Sequence, residues 1–156
     1  MLNPADLLTA VVARLRDIPE LVAVLDGDAN NIYAYSDAFP TAANFREALI
    51  IQRRPSIMVM WQETGPGAWA KNEVWKHRFS LFIAASNGIS PFALMQLLVS
   101  GVPAALGVRM LNAQIHASVL PMDTPRFSRG FLVTDVTGST LDYYEMSLTL
   151  TERGDT

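Results

Sequence analysis

From Glu73 to Ala84 the chain alternates: Trp75, His77, Phe79, Leu81 and Ile83 take one set of positions, and Val74, Lys76, Arg78, Ser80 and Phe82 the other. A period of two over that length predicts a strand with one buried face. Just before it, Ser56–Gln62 is a short apolar run, with Ile57, Val59 and Trp61 on one side and Met58 and Met60 on the other. Both sides are apolar, so this strand is expected to be central or covered on both faces. Glu63–Asn72, rich in Gly and small residues, reads as a long loop joining the two. The resulting hairpin is expected at the middle of a sheet.

Helical spacing governs the start of the chain. Asn3 and Pro4 read as N-cap and first helical residue, and Leu8, Val11, Val12 and Leu15 then form one stripe. Ile18-Pro19 interrupts the helix, Glu20–Leu25 adds a turn or two, and Gly27 ends it. Ile32–Tyr35 is a short strand candidate. Ala42–Gln52 can be helical, with Phe45, Leu49 and Ile50 on its buried side and Arg53-Arg54-Pro55 closing it. Ser90 caps a further helix with Pro91 at its first position, and Phe92–Val99 is apolar on nearly every side, as for a helix deeply buried or covered by a second chain. Val102–Met110 is ambiguous, Asn112–His116 reads as a strand, and Pro121–Arg129 as a loop. Phe131–Val136 and Leu141–Thr151 form a last hairpin, with Tyr144, Met146, Leu148 and Leu150 on its apolar face and Tyr143, Glu145, Ser147 and Thr149 on the other. Glu152–Thr156 reads as a polar tail. The sum is one α+β domain over residues 1–156, a mixed, mostly antiparallel sheet with helices packed on it.

Composition adds a hint about surfaces. Half the residues are hydrophobic and 17% are charged, against the usual quarter or so, a deficit that suits either a slightly apolar monomer or a chain that buries surface against a partner. Ten of the twelve basic residues are Arg, which suits interfaces better than Lys. The net charge of −3 gives no global field to hold nucleic acid. Without Cys, disulfides, thiolate catalysis and Cys-based zinc sites are excluded. The amino-terminal residues do not resemble a signal peptide, and no apolar run reaches the roughly 18 residues of a membrane span, so the expectation is a soluble protein.

Chemistry-bearing motifs are sparse. Asp26, Asp28 and Asn30 with Asp37 echo a calcium loop, but Asn31 stands where the sharp bend needs Gly and Asp37 where a bidentate Glu belongs, so a solvated turn is expected. Gly65-Pro66-Gly67 is no phosphate loop, because no Lys-Ser/Thr follows. Arg53-Arg54 reads as a solvated helix end rather than a phosphate contact. Trp69 is either folded back on the sheet or an interface anchor. His77, on the apolar strand face beside Phe79, is expected to be a hydrogen-bonded core histidine; His116 is the other His. No catalytic or cofactor motif is present, and none is expected to be used.

The order of elements carries a resemblance. An amphipathic helix and a short second one precede an apolar strand just after Pro55, a long loop, and a strand of pattern Trp-x-His-x-Phe-x-Leu-x-Ile at 75–83. A mid-chain helix follows, and the chain ends on the strand Tyr-Tyr-Glu-Met-Ser-Leu-Thr-Leu at 143–150. Over roughly Leu7 to Thr151 this resembles the tail terminator (tail-completion) proteins of long-tailed phages. The resemblance rests on length, order and strand style rather than on a fixed motif, and the segments Val102–Leu111 and Pro121–Arg129 depart from it.

The resemblance implies a virion structural protein without enzymatic activity or cofactor. It implies a homo-oligomeric ring, usually a hexamer, that caps the tail tube and joins it to a head-side neck or connector protein. DNA would pass through the lumen without specific binding, and no membrane would be involved. Candidate residues for contact with the tube or a neighbouring subunit are Gly65, Pro66, Trp69, Lys71, Lys76, Arg78, Arg126 and Arg129. The alternatives are another neck protein of the same virion, or a small α+β enzyme or ligand-binding domain with His77 or His116 set against a carboxylate.

Overall fold

The computed structural model describes residues 1–37, 40–67, 74–84, 126–127 and 130–153. In order these form α1 (Pro4–Arg16), α2 (Pro19–Val24), a 3-10 turn (Ala29–Asn31), β1 (Ile32–Tyr35), α3 (Ala42–Ile50), β2 (Ser56–Gly67), β3 (Val74–Ala84), β4 (Arg126–Phe127), β5 (Phe131–Thr134) and β6 (Thr140–Arg153). The fold is α+β. Its mixed sheet has the order β1-β2-β3-β6-β4, with β5 paired to β6. Among the described residues only the β1–β2 pair is parallel. The β2–β3 hairpin lies at the centre, as its apolar pattern predicts.

Local chemistry sets the helix ends. The Asn3 side chain accepts from the Ala5 amide at 2.9 Å, and Pro4 opens α1 where its missing N–H costs nothing. Thr41 caps α3 in the same way, its Oγ1 accepting from the Asn44 amide at 3.1 Å. Gly27 takes a positive φ of 69° as its amide closes on the Val22 carbonyl at 3.0 Å, turning the chain out of α2. Arg16 Nε then donates to the Ile32 carbonyl at 2.7 Å, tying the end of α1 to the start of β1.

The sheet is covered on both faces. On one, Leu7, Leu8, Val11, Val12 and Leu15 of α1 and Leu21 of α2 pack on Ile57, Val59, Phe79, Leu81, Ile83, Met146, Leu148 and Leu150. Each such side chain, wholly buried, contributes about 1.5–3 kcal/mol relative to exposure. On the other face, Leu49, Phe45 and Ala48 of α3 cover Met58, Met60, Phe82, Ala84 and Tyr143. A row of rings runs across that face, with centroids 6.2 Å apart for Tyr35–Phe45, 5.0 Å for Phe45–Phe82, 6.2 Å for Phe82–Phe131 and 5.5 Å for Phe131–Tyr143.

Four expectations need correction. Glu63–Gly67 is strand, not loop, because the register shifts between Trp61 and Glu63 and pairing with β3 then continues through Gly67 and Val74. Tyr143, assigned by alternation to the polar face, is buried, because α3 covers the upper part of that face. Arg126 and Phe127, inside an expected loop, pair with Ser147 and Met146. Glu152 and Arg153 are not tail: β6 runs through Arg153, opposite Val74, and Glu152 is buried. The expected elements between Asn87 and His116 lie outside the described residues.

Candidate functional site

The candidate residues meet on the part of the sheet that extends beyond β1. On its outer side β2 is paired to β1 only through Met60, whereas its pairing to β3 runs on to Gly67. Residues 61–67 of β2, 74–79 of β3 and 148–153 of β6 thus form a three-stranded extension, with Glu63, Arg78 and Thr149 at one level and Gly65, Lys76 and Thr151 at another. Pro66 stands opposite Trp75 in the outermost of these strands, where a missing N–H is tolerated. Among the described residues no strand pairs with this outer edge of β2.

The two faces differ sharply in polarity. On the α1 side lies a row of polar groups, half-buried at Trp61 and Thr64 and buried at His77 and Glu152. Trp61 Nε1 donates to Thr64 Oγ1 at 2.9 Å, and Thr64 Oγ1 is 2.9 Å from His77 Nδ1. His77 Nε2 is 2.8 Å from Glu152 Oε2, and both Glu152 oxygens accept from the Leu2 amide, at 2.8 and 2.9 Å. The amino-terminal ammonium is 3.6 Å from Glu152 Oε1. Facing a carboxylate, Nε2 carries the imidazole proton, and Nδ1 faces a hydroxyl that can give or accept one. Burial pushes the Glu152 carboxyl up, but the Leu2 amide, the His77 imidazole and the nearby ammonium outweigh it and hold the carboxyl below its ordinary range.

Hydroxyl, imidazole and carboxylate in a row are the parts of a nucleophilic relay. Here His77 is 0% exposed, and both its ring nitrogens are occupied. The row fastens the extension to the amino-terminal residues, and His77 is the hydrogen-bonded core histidine that its strand position predicts.

The opposite face is open. Lys76, Arg78 and Arg153 are exposed on it, interleaved with half-buried Thr149 and Thr151. Arg78 Nη2 makes a loose ion pair with Glu63 at 3.4 Å, both side chains more than half exposed. Farther along, Ser80 Oγ donates to Glu145 Oε1 at 2.8 Å.

Of the residues singled out for contacts, the structure thus brings Gly65, Pro66, Lys76 and Arg78 onto one extension. Arg126 lies in β4, beside Ser147 on the far side of β6, and Trp69, Lys71 and Arg129 are outside the described residues. Sequence reasoning missed Thr64, Glu152 and Arg153. Extending the alternation of Tyr144, Met146, Leu148 and Leu150 by one more step reaches Glu152; nothing comparable marks Thr64, whose phase is set by the shift after Trp61.

Among the described residues, no three His, Asp or Glu side chains come together as a metal site, and no helix is long and apolar enough to cross a membrane. Asp28 Oδ1 instead accepts from the Asn30 amide at 2.9 Å, as a turn residue does. No family model matches the chain, and no curated protein matches it.

Proposed function

We propose that this chain is a structural protein of a phage tail, a terminator that assembles into a ring, caps the tail tube and joins it to the head-side neck. Its work is assembly, with DNA passing through the lumen and no bond made or broken. The observation that carries the reading is the β2–β3–β6 extension: a hydrogen-bonded platform with a polar row anchored by buried His77 and Glu152 on one face and Lys76, Arg78 and Arg153 displayed on the other, beside an edge of β2 that no strand pairs with among the described residues. Open edges invite pairing with another chain, and a preformed polar surface suits repeated contact with the same neighbour. The described part of that element order, from α1 and α2 through β2 and β3 to the closing β5–β6 hairpin, also supports it. Light scattering and negative-stain imaging of the purified chain test it: a closed ring with a central channel is expected, and a single chain at high concentration overturns it.

One observation favours a second reading, a small enzyme. Thr64, His77 and Glu152 stand in relay order. On that reading, substituting His77 abolishes a hydrolytic activity toward activated esters; on the structural reading there is no such activity to lose, and only stability falls.

A further inference from the structure

The extension's exposed face and the first connections of the chain carry opposite charges at opposite ends of β2. From Asp17 to Asp37 the sequence has Asp17, Glu20, Asp26, Asp28 and Asp37, with no Lys or Arg. Glu20, Asp26 and Asp28 are exposed around α2 and the turn that follows it. This turn leads into β1, whose first residue pairs with Ile57 at the beginning of β2. Lys76, Arg78 and Arg153 lie beside the far end of the same strand, at the levels of Gly65, Glu63 and Gly67. About 3.3 Å per residue separates the two regions by roughly 20–30 Å along β2, well beyond a Debye length of about 8–10 Å. They do not neutralise each other within one chain. Among the described residues neither Lys76 nor Arg153 has an ion-pair partner, and Arg78 has only the exposed Glu63.

We propose that the Lys76–Arg78–Arg153 face docks the Glu20–Asp28 region of a second copy. The inference rests on the ring-forming reading and names the surfaces that meet. The partner is chosen by charge: the face needs an acidic protein segment, and each copy carries one at the end where a head-to-tail neighbour would present it. Different patches meet at such a contact, so it repeats from copy to copy and closes when the rotation allows. A net charge of −3 disfavours a phosphate backbone as the occupant. Thr149 and Thr151, between the cations, add hydroxyls that can bond carboxylates.

Charge exchange in the full chain tests this. One variant carries Lys76→Glu with Arg78→Glu, the other Glu20→Lys with Asp26→Lys; all four positions are exposed, and circular dichroism checks that each variant folds. Each alone sets like charges against each other and is expected to assemble at least about tenfold more weakly than the parent. Mixed one to one, they restore opposite charges at every contact, and sizing is expected to recover the assembly. Folded variants that assemble like the parent overturn the docking inference while leaving the ring reading intact. So does a mixture that stays apart. A parent chain that is monomeric sinks both. Duplex DNA bound by the parent and released by Lys76→Glu with Arg78→Glu would assign the face to phosphate and overturn the inference.

Discussion

Glu152 and His77 meet across the β6–β3 ladder at 2.8 Å, and Glu152 also holds the Leu2 amide through both carboxylate oxygens. One buried carboxylate thus links the last strand, the central strand and the amino-terminal residues. Removing one member of such a pair strands the other without water.

Glu152→Ala is therefore expected to destabilise the chain by about 3 kcal/mol, the lower end for breaking a buried pair. The pH dependence follows from the sign of the shift. The folded carboxyl titrates below its ordinary 4.5, so its stabilisation is fully present above that value and is lost as the pH falls through the lower, folded one. Urea unfolding across this acid range should show the loss in the parent and a flatter profile in Glu152→Gln. Equal slopes in both would mean that Glu152 does not carry the acid response.

Thr64→Val keeps the shape of the side chain while removing the oxygen shared by Trp61 Nε1 and His77 Nδ1. Two polar groups lose their partner, at an expected cost of about 1–3 kcal/mol. The indole N–H resonance of Trp61 should move upfield as its hydrogen bond is lost. An unmoved resonance and unchanged stability would show that the indole and imidazole find other partners.

Elements set by local rules are legible in the sequence itself. Asn3-Pro4 starts α1 because a side-chain acceptor and a missing N–H suit a helix start wherever it is packed. Alternation placed β3 and most of β6, because a two-residue period survives any neighbour. What escaped depends on contacts distant in sequence. Tyr143 looks half-exposed until α3 is laid over it. Thr64 joins His77 only after the shift following Trp61 resets the side-chain phase, which depends on β3 as partner. Glu152 read as tail because a charged residue at a strand end is ordinarily solvated; its burial is explained by His77 and Leu2, one on another strand and one nearly a whole chain away.

Tyr143 anchors the α3 side of the sheet. Its hydroxyl donates to the Leu49 carbonyl near the end of α3, and Arg54 lies over its ring at 4.8 Å while pairing with Asp142 at 3.0 Å. Tyr143→Phe removes this bond and leaves the carbonyl to the Gln52 amide at 3.2 Å, and should cost about 1 kcal/mol. Arg54→Ala removes a partly exposed pair and the cation–π contact, and should also cost about 1 kcal/mol. Because both side chains act on one ring, the double variant should fall short of the sum. Strict additivity in thermal unfolding would show that the two contacts are independent.

Gly130 and Gly65 offer a paired test of backbone approach and surface. A Cβ on Gly130 would stand 2.9 Å from the Tyr143 carbonyl oxygen and 3.0 Å from Tyr144 Cε1. Backbone cannot swing aside as a side chain can, so Gly130→Ala should displace the chain from β6 and cost about 1–3 kcal/mol. At Gly65 a Cβ meets nothing within 4 Å, and its φ is not positive. Gly65→Ala should leave stability unchanged or raise it by about 0.4–1 kcal/mol, through a less disordered unfolded chain. Gly65 lies opposite Lys76 on the open face, so the same substitution also probes assembly. A stable Gly65→Ala chain that no longer associates would place Gly65 in the contact. One that associates normally would confine the contact to the charged side chains of β3 and β6.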